Sequence, residues 1–230
     1  MRWLEKMGLY RVPKKISDLA SESFITQNNI LELRKRISVL IIDDKEFDFL
    51  EPLRSCGFNL RHVNDISDVL DASAYEIVLC DIMGVGTTVD SELQGASIIK
   101  QIKIVYPLKR VIAYTASNYN PAFNEALGHA DSVMLKGSSF DDWSSLLDTQ
   151  IKKLMDPHAQ WEILRTALLS SGVSTVEVAQ IEGRYVEAFQ KRTSSPIKEL
   201  LSDNNSSNAR TILAGFLSST LAKVVLGALS

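Results

Sequence analysis

Four short apolar runs punctuate the first two thirds of the chain, at residues 37–42 (Ile-Ser-Val-Leu-Ile-Ile), 76–80 (Glu-Ile-Val-Leu-Cys), 110–114 (Arg-Val-Ile-Ala-Tyr) and 132–135 (Ser-Val-Met-Leu). Runs of this length that are apolar on both alternations, separated by helix-length segments, predict strands of a parallel sheet covered on both faces. The intervening segments predict helices over 44–55, closed by Gly57; 65–71; 96–105, stopped before Pro107; 118–127, closed by Gly128; and 140–154, entered through Ser138 and Ser139.

Beyond Pro157 the pattern changes to helical spacing without strands. Trp161, Ile163, Leu164, Leu168 and Leu169 mark an amphipathic helix over 158–170, and Ser174 with Glu177 three residues on is a capping-box start for a helix running toward Gln190. Residues 193–208, rich in Ser, Thr and Asn on either side of a short apolar helix signal at 197–201, read as a linker. Residues 209–230 follow as an apolar helix of about bilayer-spanning length whose only charges are Arg210 and Lys223. Lys223 makes insertion less favourable by roughly 3 kcal/mol.

Polar side chains stand where the apolar runs end: Asp43 and Asp44 after the first, Asp81 after the second, Thr115 after the third and Lys136 after the fourth. In open parallel sheets ligands bind at the carboxyl ends of the strands. Three acids, a hydroxyl and an amine converging there suit a hard cation and a phosphoryl group. A carboxylate that attacks a phosphoryl group needs positive charge nearby to offset repulsion. Asp43 and Asp44 fit a Mg2+-holding role, Asp81 that of ligand and phosphoryl acceptor, and Thr115 and Lys136 that of partners to phosphoryl oxygens. Taken singly, the acids read as loop starters or helix caps, Thr115 as a cap and Lys136 as a solvated loop lysine. Only their succession at strand ends favours chemistry.

That set, in this order, resembles the receiver domain of two-component response regulators over about half the chain. The resemblance implies a doubly wound α/β fold, a five-stranded parallel sheet of receiver (flavodoxin-like) type. It also implies that the backbone carbonyl of Met83 completes the metal shell and that the donor is a phosphohistidine on a sensor histidine kinase or phosphotransfer protein. Three departures stand out. The segment from Gly84 to Gln94 lengthens the loop after the acceptor by about six residues if Gly95 is the family's glycine. Gly137 replaces the proline that usually follows the lysine, and Val133 replaces the switch aromatic.

The expected organisation is a basic helical extension (1–35), a receiver-like domain (36–155), a helical pair (156–192), the linker (193–208) and the apolar helix (209–230). Trp3, Leu4, Met7, Leu9 and Tyr10 could form a small apolar patch in the extension. A net charge of -3 gives no global attraction to nucleic acid, and Cys56 and Cys80 have neither metal nor redox spacing. From Asp156 onward seven basic side chains face seven acidic ones, which argues against a DNA-reading use of helices 158–190, although a transcription regulator remains an alternative.

The expected protein is therefore not a metabolic enzyme. It is a cytoplasmic phospho-accepting switch whose C-terminal helices associate with another copy, a protein effector or, through residues 209–230, a membrane. A docking scaffold of the same fold that never takes phosphate is the second alternative.

Overall fold

Valine, isoleucine and leucine crowd the central strands, and the backbone there pairs on both sides. Residues 14–19, 30–115, 127–202 and 206–227 are described by the computed structural model. They fall into two units, Ile25–Asp156 and a second built from Met1–Phe24 with Pro157–Ser230.

In the first unit, Ser38–Ile42 (β1), Asn59–Val63 (β2), Ile77–Asp81 (β3), Arg110–Thr115 (β4) and Ser132–Leu135 (β5) form one sheet in the order β2-β1-β3-β4-β5, with every pairing parallel. This order reverses its winding direction between β1 and β3, the kind of switch point that opens a crevice beyond the strand ends. The buried strands β1, β3 and β4 are the runs that lack polar alternation. The edge strand β5 alternates, leaving Val133 and Leu135 about half exposed.

Helices Ile30–Arg36 (α1), Leu50–Ser55 (α2), Gly95–Val105 (α3) and Phe140–Leu154 (α4) flank the sheet. α4 begins where expected because Ser139 and Asp142 close a capping box. α2 is shorter than the expected 44–55. Pro52 lacks an amide hydrogen and its ring would strike the carbonyl of Asp48 in a longer helix, so it is accommodated only in a first turn. The expected helix over 65–71 is a single 3-10 turn, Val69–Ala72, capped by Asp68. Most of the expected helix over 118–127 lies outside the described residues. α1 is tied to α4 by Arg34, whose guanidinium meets both oxygens of Asp148 at 2.8 and 2.6 Å while lying 4.3 Å over the Phe58 ring.

The second unit contains Pro157–Ser170 (α5), Thr175–Lys191 (α6), Ser195–Ser202 (α7), Ser207–Leu217 (α8) and Thr220–Leu226 (α9). Tyr185 lies at its centre, 5.1 Å from Trp161, 4.8 Å from Phe189 and 5.2 Å from Phe216 between ring centroids, and donates its hydroxyl to the Pro157 carbonyl at 2.8 Å. Ser174 caps α6 as expected. Glu177, however, turns its carboxylate to the amide and hydroxyl of Ser206 at 2.9 and 3.2 Å, joining the start of α6 to the cap of α8.

Within the expected linker 193–208, the helix signal at 197–201 is α7, which is packed, burying Pro196, Ile197 and Leu200. One further stretch differs from the sequence reading. The described part of the apolar stretch 209–230, read as one helix, forms the pair α8 and α9, bent by 69°. Ser219 causes the break: its hydroxyl accepts the Ala222 amide and starts a new helix. No single helix among the described residues is long and apolar enough to cross a membrane.

The extension divides. α1 belongs to the first unit, whereas residues 14–19 belong to the second: Ile16 donates its amide to Glu182 at 2.8 Å, Lys14 bonds Gln190, and Leu19 is buried. The apolar patch from Trp3 to Tyr10 lies outside the described residues.

Candidate functional site

β1 and β3 are neighbours, so the residues that follow or end them arrive side by side. Asp43 and Asp81 are both nearly inaccessible, at 2% and 4%, while Asp44 is exposed. One carboxylate oxygen from each of the three acids lies within 4.8 Å of the others.

Lys136, just past β5, bridges the buried pair, with Nζ 2.8 Å from Asp43 Oδ2 and 2.6 Å from Asp81 Oδ2. The other oxygen of Asp43 accepts the Lys45 amide at 3.0 Å, and Asp81 Oδ1 accepts the amides of Ile82 at 2.7 Å and Met83 at 3.4 Å. Thr115, half-buried at the end of β4, receives the Lys136 amide on its carbonyl at 2.9 Å, which fixes the lysine beside the threonine. The structure thus joins Asp43, Asp81 and Lys136 directly, clusters Asp44 with the acids and holds Thr115 on the neighbouring strand end. The Met83 amide leans on Asp81, and its side chain is about half exposed.

The two buried acids respond in opposite directions. Burial pushes the Asp43 carboxyl up, but bonds from Lys136, the Lys45 amide and Tyr114 prevail and hold it below the usual carboxylate range. Burial dominates at Asp81 and raises its carboxyl despite Lys136, with the Asp43 charge adding to the rise. Burial works against the Lys136 ammonium, yet its two carboxylate partners raise it and keep it charged.

Several contributors were not foreseen. Tyr114 is fully buried and donates its hydroxyl to Asp43 Oδ2 at 2.9 Å; its ring meets Phe47 and Trp143 edge to face at 6.0 and 5.6 Å. Its position inside an apolar strand run hid it, since a strand tyrosine ordinarily reads as core. Gly84, with φ +87°, packs so tightly on Asp44 that a Cβ there would lie 2.7 Å from the carboxylate carbon. Gly95 approaches β3 even more closely: a Cβ would fall 1.8 Å from the Asp81 carbonyl oxygen. The long loop between them is folded. Val85 inserts fully into the core, Gly86 donates its amide to Asp65 at 2.7 Å, and Gly84 donates its amide to the Gln94 side chain at 2.9 Å.

Neither a protein-family model nor a curated protein matches the chain. Similar solved structures include a response regulator from Thermotoga maritima (17% identity, 50% of this chain and 97% of that one, TM-score 0.41). A CheY-like receiver domain protein from Methanospirillum hungatei JF-1 (16%, 51% and 95%, TM-score 0.40) and an orphan response regulator of H. pylori (16%, 51% and 98%, TM-score 0.42) are also similar. In its own strand order and all-parallel pairing, the Ile25–Asp156 unit has the receiver-type, flavodoxin-like α/β fold, followed in the chain by an all-helical C-terminal region.

Proposed function

We propose that the chain is a phospho-accepting signalling protein of the response-regulator kind, with Asp81 as acceptor. The observation that carries this reading is the bridge from Lys136 to both Asp43 and Asp81 beside a third carboxylate, at the strand ends where such sheets bind ligands. An oxygen of Asp81 forms a bond to phosphorus as the P–N bond of a phosphohistidine on a sensor kinase or phosphotransfer protein breaks, and the imidazole leaves with the electron pair and takes up a proton. Lys136 moves from the Asp81 oxygen to a phosphoryl oxygen, remaining charged throughout. Thr115 donates its hydroxyl to a second phosphoryl oxygen.

The donor set fits magnesium: hard oxygens from Asp43, Asp44 and Asp81, close enough for one small cation, with the Met83 carbonyl as a further ligand. When bound, that ion supplies positive charge that offsets repulsion between the carboxylate and the incoming phosphoryl group. Beyond accepting and slowly losing this group, the chain turns over no metabolite.

The helical unit serves as output by associating with a protein effector or a second copy. Two observations favour association over the other outputs. Arg184 on α6 is paired with Glu187 and Glu199 at 3.4 and 3.3 Å, which removes a cation from the helix a DNA reading would use. Leu213, Phe216, Leu221, Ala222 and Leu226 of α8 and α9 are buried, so their apolar surface is not presented to lipid.

The test is intact mass after incubation with a small phosphoryl donor, with and without magnesium, beside Asp81→Asn. A magnesium-dependent gain of one phosphoryl group, absent in the variant, is expected. No gain from the small donor or from a phosphorylated kinase, with the protein folded, would leave the docking-scaffold reading in its place.

A further inference from the structure

We infer that Gln94 is a positioning residue for the cation site, a reading that rests on Asp43, Asp44 and Asp81 acting as its ligands. Gln94 adopts φ 49° and ψ -128°, a conformation that side chains larger than glycine rarely take. Besides opening α3, where its carbonyl accepts the Ser97 amide at 3.0 Å, Gln94 meets three positions of the loop. Its side-chain oxygen accepts the Gly84 amide at 2.9 Å, its own amide donates to the Asp90 carbonyl at 2.8 Å, and its carbonyl lies so close to Gly86 that a Cβ there would stand 2.9 Å away.

Gly84 is the residue on which the Asp44 carboxylate packs, and it follows Met83 directly. The Gln94 carboxamide therefore sets where the 83–84 backbone sits relative to Asp44 on one side and Asp81 on the other. At the next position Gly95 abuts the Asp81 carbonyl, so the Gln94 backbone is anchored to the strand that carries the acceptor. The strained backbone is retained because a glycine at 94 would relieve it but lose the acceptor for Gly84. Groups that orient ligands from outside the coordination shell commonly change metal affinity by about 10- to 100-fold.

Calorimetric titration of the full chain with MgCl2 tests this, with Gln94→Gly, Gln94→Met and Asp43→Asn compared with wild type, alongside thermal melting without magnesium. The expectation is magnesium binding in wild type that Asp43→Asn abolishes and that both Gln94 variants weaken by about 10-fold or more. Gln94→Gly should melt, metal-free, no lower than wild type, because strain is released. A purely structural residue would lower the melting temperature and leave affinity alone. Wild-type affinity in both Gln94 variants, or affinity that falls only in step with melting temperature, would overturn the role of Gln94 while the cation site stands. Absence of binding in wild type, or binding that survives Asp43→Asn, would overturn both readings.

Discussion

Tyr114 and Lys136 donate to the same oxygen of Asp43, at 2.9 and 2.8 Å, and the ammonium lies 5.1 Å from the centre of the tyrosine ring. The hydroxyl sustains the negative charge of a nearly inaccessible carboxylate, and the ring anchors that hydroxyl through Phe47 and Trp143. A core aromatic thus serves the polar site.

Tyr114→Phe should keep the ring packing and remove the donor. Hydrogen bonds to charged groups contribute about 2 kcal/mol, so denaturant unfolding of the metal-free protein should show a loss of that order at neutral pH. The loss should shrink in acid, where Asp43 is protonated. Unchanged stability at neutral pH would mean the hydroxyl does not support Asp43.

The opposite shifts of the two acids give a signed pH dependence. Asp81 binds its proton more tightly in the folded state, so its contribution is present below the unfolded carboxylate value and is lost as pH rises through the folded one. Asp43 contributes in the other sense, its stabilisation present above the unfolded value and lost as pH falls through its depressed one. In metal-free protein, the melting temperature of Asp81→Asn relative to wild type should therefore become more favourable between about pH 4 and pH 7. For Asp43→Asn the difference should become less favourable as pH rises through the depressed Asp43 value to about pH 4, and should change little from there to about pH 7. Parallel pH profiles for the two variants would contradict this assignment.

Gly95→Ala is expected to destabilise the first unit by roughly 3 kcal/mol, near the upper end for overpacking, because the added methyl meets backbone at the end of β3 and neither α3 nor β3 can retreat freely. Urea unfolding followed by tryptophan fluorescence reads the change. A loss near zero would show that α3 shifts at little cost.

Phe216→Ala should cost about 3–5 kcal/mol in the second unit, since the ring is fully buried against Tyr185 and Phe189. Hydrogen exchange localises the effect: amides of α5, α6 and α8 should lose protection while those of β1, β3 and β4 keep theirs. Loss spread equally over both units would show that they unfold together.

Much of this was legible in the sequence because it was written in apolar runs. β1, β3 and β4 are buried on both faces, so their run lengths and the acids beyond them stand out. α4 was legible to the residue, its entry marked by Ser138 and Ser139. What was hidden depends on contacts between distant segments. Nothing local distinguishes Gln94 from any polar loop residue until Gly84 is brought beside it, and Tyr114 reads as core until Asp43 arrives across the sheet. The apolar composition of residues 209–230 suggested a single span because hydropathy does not register that Ser219 caps a new helix.

The short segment 14–19 has a consequence for the order of assembly. Ile16 and its partner Glu182 are separated by 166 residues, and the whole Ile25–Asp156 unit is threaded between them. Closing so long a loop from an open chain is entropically costly and slow. A folded first unit, with α1 already clasped to α4 through Arg34 and Asp148, shortens the free chain that must be closed. Pulsed hydrogen exchange during refolding should find protection in β1 and β3 before α6; the reverse order would refute this. During synthesis, residues 14–19 emerge before the sheet yet find their binding surface only after α6 has followed it, so a segment made early is among the last to be placed.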